Sequence, residues 1–251
     1  MPPKKQQLNS KKKAAHLVTP AAGATPAPPQ QSVSWPALTP LLPPSDLQLE
    51  EVLPEQILTI PKFFTSTLCK TYVNFLQKSV SLTTTPGKPK RGEAVRVNDR
   101  LQIQDPAFAD VLWNQSGLKD VVSREDPSLW GGKVVGLNPN IRIYRYGTGQ
   151  FFDKHYDDAN QIVVSDVACR TTWTLLIYLT GAVDGVVGGE TVFYTEASKT
   201  KKSEEVVVNL EKGLAVLHKH GRDCMLHEGR LVTNDGGVGK WVLRSDLAVK
   251  R

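Results

Sequence analysis

The sequence predicts a mainly β domain of sandwich or jelly-roll type with supporting helices before it. From Ile141 onward, short runs alternate apolar and polar residues with period two: Ile141–Tyr146, Trp173–Leu179, Glu190–Tyr194, Glu205–Asn209, Leu214–His218 and Trp241–Ser245. Glycine-rich turns separate them at Gly147-Thr148-Gly149, Gly185–Gly189 and Asp235–Gly239. Many short strands joined by such turns pair into antiparallel sheets that stack or close. The preceding stretch carries helical spacing instead, and no internal repeat is present.

Taken in order, residues 1–45 hold ten of the 17 prolines, five lysines and no acidic side chain. Such a segment buries too little apolar surface to offset its ordering entropy, so disorder is expected. Its split basic run, Lys4-Lys5 and Lys11-Lys12-Lys13, suits either a nuclear localisation signal or a merely solvated tail. Order is expected from Asp46, with helical and strand support over 46–137 and a strand-rich core over 138–247. Gln56–Ile60 reads as a strand stopped by Pro61. Ser66 or Thr67 should cap a helix to about Lys78, with Leu68, Tyr72, Phe75 and Leu76 at helical spacing. Thr83–Arg91, rich in Pro, Gly, Lys and Thr, reads as a mobile loop. A strand around Ala94–Ile103 follows, then a helix opened by Asp105-Pro106 and running to about Trp113.

Composition bounds the function. A chain of 251 residues suffices for one mid-sized domain and an extension, and 40% hydrophobic with 22% charged residues is ordinary for a globular protein. No run reaches the roughly 20 apolar residues that cross a bilayer. The N-terminus lacks the apolar core of a signal peptide, so an intracellular location, cytoplasmic and/or nuclear, is expected. Cys69, Cys169 and Cys224 are odd in number and widely spaced, which excludes a disulfide framework and a CxxC zinc pair. Of the net charge of +6, five come from the first 45 residues. Residues 46–251 carry 26 basic against 25 acidic side chains, so net charge makes no case for a nucleic-acid groove on the folded part. Oligomeric state is not legible.

The informative triplet is His155-Tyr156-Asp157. On extended chain, residues i and i+2 face the same way, so both side chains can reach one ion. His227 follows after several strands. Two imidazoles and one carboxylate with open positions are the ligand set of non-haem Fe(II) oxygenases, although unrelated histidines would give the same spacing. In Lys240-Trp241-Val242-Leu243-Arg244, alternation puts Lys240 and Arg244 on one face. A buried cation requires an anion, which a dicarboxylate such as 2-oxoglutarate supplies; a surface salt bridge is the plain alternative for either residue. His218 and His220 form a second HxH pair, but no carboxylate with suitable spacing accompanies them.

These segments, taken together, resemble the prolyl 4-hydroxylase-like 2-oxoglutarate/Fe(II) oxygenase family. The likeness is carried by Asn140–Gly147, Phe151-Phe152, His155-Tyr156-Asp157, Thr174–Leu179, Gly188–Phe193, Leu226–Gly229 and Gly239–Asp246, in the family's order over roughly residues 138–247. The resemblance implies a double-stranded β-helix (jelly roll) with iron at its open end. It places His155, Asp157 and His227 as ligands of Fe(II), and Lys240 as the cation on the distal carboxylate of 2-oxoglutarate. Tyr178, Thr174, Tyr146 and Thr191 are implied around that cosubstrate. The link from His227 to Lys240, 13 residues, is longer than the family usually has, so Arg244 could share or take over the carboxylate. O2 as co-reactant and ascorbate as reductant follow from the same likeness. The implied activity is hydroxylation of an aliphatic C–H, prolyl or other, in a protein or peptide. Asn98 and Arg100, after the Thr83–Arg91 loop, are candidate substrate contacts. A small-molecule or nucleic-acid oxygenase and a non-catalytic jelly-roll binding module are the competing readings.

Overall fold

The computed structural model describes residues 33–85, 87–89, 92–197 and 202–251. The lysine runs and the rest of residues 1–32 lie outside the described residues. Residues 33–45, expected to be disordered, are instead packed. Trp35 stacks on Phe108 with ring centroids 4.1 Å apart, and its indole N–H donates to Asp105 Oδ2 at 2.8 Å. Leu38 is buried, and the Tyr72 hydroxyl donates to the Pro36 carbonyl at 2.8 Å. The reason is local: one tryptophan and three leucines find an apolar surface, which the average composition of a proline-rich segment conceals.

In chain order the elements are β1 (Glu50–Leu53), β2 (Ile57–Ile60), α1 (Ser66–Ser79), β3 (Thr83–Thr84), β4 (Arg96–Val97), β5 (Asp99–Gln104) and α2 (Pro106–Gln115). Then come α3 (Leu118–Arg124), β6 (Val134–Leu137), β7 (Asn140–Tyr146), β8 (Phe151–His155), β9 (Gln161–Val164), β10 (Val167–Tyr178), β11 (Val186–Gly188) and β12 (Thr191–Tyr194). The last are β13 (Glu205–Val208), β14 (Ala215–Lys219), β15 (Leu226–Gly229), β16 (Val232–Asp235) and β17 (Lys240–Lys250). The helix expected from Ser66 or Thr67 is capped one residue earlier, by the Thr65 hydroxyl accepting from Leu68 N–H at 3.2 Å. Asp105 caps α2 as expected, accepting from Phe108 N–H at 2.9 Å. The expected strand at 94–103 is broken at Asn98 into β4 and β5, which join different sheets.

The large sheet runs β1-β2-β14-β10-β17-β7-β5-β3, with β6 on β17 and β9 on β10; the smaller runs β13-β12-β15-β8-β4. Their pairings are antiparallel, and the sheets form a jelly roll. Alternation sorts the large sheet into two faces. Trp173, Leu175, Ile177, Trp241 and Leu243 join the helices α1 to α3 in one apolar core. Tyr144, Tyr146, Tyr178 and Val242 face the other way, into a second core with Phe193 of the small sheet. That second layer is where polar side chains interrupt the packing. No helix among the described residues is long and apolar enough to cross a membrane.

Candidate metal centre

Two strands of the small sheet bring the first donors together. His155 at the end of β8 and His227 on β15 are direct partners in the antiparallel register. Asp157 lies two residues beyond His155 and shares its side of the chain. His155, Asp157 and His227 place one donor atom each within 4.8 Å of the other two. His155 Nε2 lies 3.8 Å from Asp157 Oδ1, and His227 Nε2 lies 3.7 Å from Asp157 Oδ2. Donors bound at about 2.1 Å to one ion are at most about 4.2 Å apart, so both spacings fit a metal ion. The Nδ1 atoms face backbone carbonyls, Asp153 at 2.8 Å for His155 and Met225 at 2.9 Å for His227. With the proton on Nδ1, each Nε2 presents its lone pair to the centre, as metal-binding imidazoles require.

Electrostatics keep these groups in their ligating forms. Burial pushes the His155 imidazolium down to about 3, with His227 adding to the effect, and burial lowers His227 as well. Burial by itself would raise the Asp157 carboxyl, yet Arg244 and the adjacent imidazoles hold it well below its usual range. Arg244 Nη1 donates to Oδ1 at 3.0 Å, Nη2 lies 3.0 Å from Oδ2, and the Thr174 hydroxyl donates to Oδ2 at 2.9 Å.

Lys240 opens β17 and is only 4% exposed. Its Nζ donates to the Gly189 carbonyl at 2.6 Å and lies 5.0 and 5.7 Å from the ring centroids of Tyr146 and Tyr178. Among the described residues it forms no ion pair. Desolvation therefore pulls its ammonium down to about 8, with Glu190 partly opposing. The Gly188-Gly189 turn makes this approach possible: both residues have positive φ, and a Cβ on Gly189 would lie 3.1 Å from Lys240 Cδ. Beside Lys240, Tyr178 and Thr191 share a hydroxyl–hydroxyl bond of 2.6 Å. A cavity of about 50 Å³ runs between the two ends, lined by His155, Asp157 and His227 at one end and Tyr146, Tyr178, Thr191 and Lys240 at the other.

Two residues expected around a cosubstrate have other side-chain partners. Thr174 is bonded to Asp157 and to His220 Nδ1 at 2.9 Å and does not line the cavity. Arg244 lines it, but its guanidinium is taken by Asp157 and Asp246, the latter at 3.4 Å. The expected substrate contacts are not in the wall either. Asn98 is fully buried and bonded to Thr85, and Arg100 pairs opposite Tyr144 one strand outside the lining. His220, the other member of the HxH pair, is buried between Thr171 and Thr174.

The sequence reading missed Phe152, whose ring stacks on His155 at 3.5 Å, and Arg96, whose guanidinium lies 4.5 Å from the Phe152 ring. No one-dimensional pattern marks that stack, because it depends on β4 pairing with β8. A larger cavity of about 450 Å³ lies between α2, α3, β6 and β9, shares no lining residue with this one, and among the described residues gathers no cluster of metal-binding side chains.

Residues 141–245 match the profile of the 2OG-Fe(II) oxygenase superfamily. The matched segment runs from β7 into β17, so the likeness to that superfamily lies in the jelly-roll core. Solved structures share the jelly-roll fold. A prolyl hydroxylase from Trichoplax adhaerens, in complex with a hypoxia inducible factor oxygen degradation domain peptide fragment, is 18% identical with a TM-score of 0.54; the match covers 77% of this chain and 84% of that one. A Pseudomonas putida prolyl-4-hydroxylase is 14% identical with a TM-score of 0.52, over 78% of this chain and 93% of that one. No curated protein matches the sequence. The fold is thus like that of these prolyl hydroxylases, and the segment matched by the profile spans the whole polar cavity.

Proposed function

We propose that the chain is a 2-oxoglutarate- and Fe(II)-dependent dioxygenase that hydroxylates an aliphatic C–H, prolyl or other, in a protein or peptide. The observation that carries the reading is the pairing, in one cavity, of the His155/Asp157/His227 donors with a buried Lys240 that pairs with no carboxylate among the described residues. A buried ammonium in that state costs free energy that a bound anion returns. Bound iron, 2-oxoglutarate and O2 supply the oxidative decarboxylation and the C–H hydroxylation, with ascorbate as reductant.

The chain's own residues do the rest. His155, Asp157 and His227 hold the metal and leave positions open. Lys240 exchanges its bond to the Gly189 carbonyl for the distal carboxylate, while Tyr178 and Thr191 offer hydroxyls beside it. Tyr146 packs the wall and excludes water. Arg244 and Thr174 fix the Asp157 carboxylate, so its orientation does not depend on the metal alone.

A protein or peptide substrate is supported by the surface next to the centre. Tyr156, between two of the ligands, is 62% exposed and opens onto a depression of about 750 Å³ that also includes Tyr194, Arg222 and Met225. The structurally similar hydroxylase with a bound peptide fragment points the same way.

The test is succinate release from 2-oxoglutarate with Fe(II) and ascorbate, with and without candidate peptides. Turnover in the wild type that vanishes in His155→Ala is the expected result. Absence of both metal binding and turnover would leave a binding module. Comparing protein masses in cells with and without the active chain, for a gain of one oxygen atom, identifies the substrate.

A further inference from the structure

His218 is the one histidine of the cavity that this reading leaves unused. It stands on β14, 1% exposed, with Nδ1 facing the Lys219 carbonyl at 3.2 Å. With its proton on Nδ1, Nε2 carries a lone pair, and that nitrogen is buried with no hydrogen-bond partner among the described residues. Leaving such an acceptor unpaired costs about 1–3 kcal/mol.

His218, Cys224 and His227 form a second group whose donor atoms lie within 4.8 Å of one another, joined to the first through His227. His218 Nε2 lies 3.8 Å from Asp157 Oδ2, the same spacing that His155 and His227 keep from the carboxylate, 3.8 and 3.7 Å. The His218 ring meets the His227 ring edge-on with centroids 4.7 Å apart. All three imidazoles therefore anchor Nδ1 on a backbone carbonyl and turn Nε2 toward one anionic group. Electron pairs crowded in this way repel one another, and a cation among them reconciles the arrangement. His220 shows the contrast: Thr174 and Thr171 occupy both of its nitrogens, so it has nothing to offer an ion.

We propose that His218 is a further protein donor to the metal centre, binding the ion beside His155, Asp157 and His227 when 2-oxoglutarate is absent. The inference rests on the metal-centre reading above. Two imidazoles and one carboxylate leave three positions for a chelating keto acid and dioxygen. A fourth protein donor takes one of these, so His218 must release the ion when the keto acid arrives. It is a displaceable ligand that shields the resting centre.

Cu(II) loaded into the full chain is the probe, with coordinated imidazoles counted by pulsed electron paramagnetic resonance. Three imidazoles are expected in the wild type, two in His218→Phe, and two in the wild type after 2-oxoglutarate is added. His218→Phe keeps a ring against Phe193, and His218→Gln is the second variant should the first not fold. Mn(II) affinity is expected to fall by about tenfold or more in either, at least the effect of losing a supporting partner of a ligand. Two imidazoles in wild type and variant alike overturn the proposal, as do three that persist with 2-oxoglutarate. A wild-type count of two that drops to one in His155→Ala overturns the role of His218 alone. Unchanged copper affinity and imidazole count in His155→Ala overturn the metal-centre reading beneath it.

Discussion

Arg244 on β17 grips both carboxylate oxygens of Asp157, at 3.0 Å each, from the sheet opposite the strands that carry the two histidines. Behind it, Asp246 is itself held by Arg142 at 3.2 Å and by the Asn138 amide at 2.7 Å. The anionic donor is thus fixed by a buried ion-pair chain, independently of any ion. The cation that Lys240 presents at the other end of the cavity has no such tie.

The two basic residues should therefore fail differently. Arg244→Gln breaks a buried pair, which costs about 3–5 kcal/mol of stability in the metal-free protein. A divalent ion replaces the lost positive charge on Asp157, so Mn(II) should raise the melting temperature of this variant more than that of the wild type. Calorimetry with and without Mn(II) checks this; an unchanged melting temperature in the variant contradicts it.

Lys240→Met should leave metal affinity unaltered and weaken 2-oxoglutarate binding by about 10–100-fold, the worth of one charge-assisted bond. Titration calorimetry on the Mn(II)-loaded protein measures both. Equal losses in Arg244→Gln and Lys240→Met would show that the diacid is shared between them.

The pH dependence follows from the same lysine. Its ammonium is depressed from 10.5 to about 8 by burial, so it loses its charge as pH rises through about 8. Affinity for 2-oxoglutarate should fall above that pH. The stability of the ligand-free protein should move oppositely. Between about 8 and 10.5 the unfolded chain binds more protons at this site than the folded one, so the cost of burying the charge, up to about 3 kcal/mol and full below 8, is relieved. Denaturant unfolding of wild type and Lys240→Met across this range separates the effect; identical pH profiles would remove it.

Trp35→Ala should destabilise the domain by about 3 kcal/mol, the low end for a large aromatic side chain because Trp35 is only half-buried. It removes the stack on Phe108 and the bond to Asp105. Because Asp105 also caps α2, chemical denaturation should show the loss while metal affinity stays constant. A change below about 0.5 kcal/mol would mean that residues 33–45 pack without contributing.

How much of this was written in the linear chain follows from which forces are local. Period-two alternation is set by strand geometry alone, so the sequence already separated Trp241 and Leu243 from Lys240, Val242 and Arg244, and paired His155 with Asp157 on one side. The Asp105 cap and the α1 face are local for the same reason. What alternation cannot encode is register between strands distant in sequence. Pairing of β10 with β14 sets His218 opposite Thr174, and pairing of β17 with β10 sets Arg244 opposite Leu176. Only those alignments decided that Asp157 takes Arg244 as its partner, that Lys240 keeps none, and that a third imidazole joins the cavity. Burial and pairing energies belong to distances, and distances between separate strands exist only once the sheets have closed.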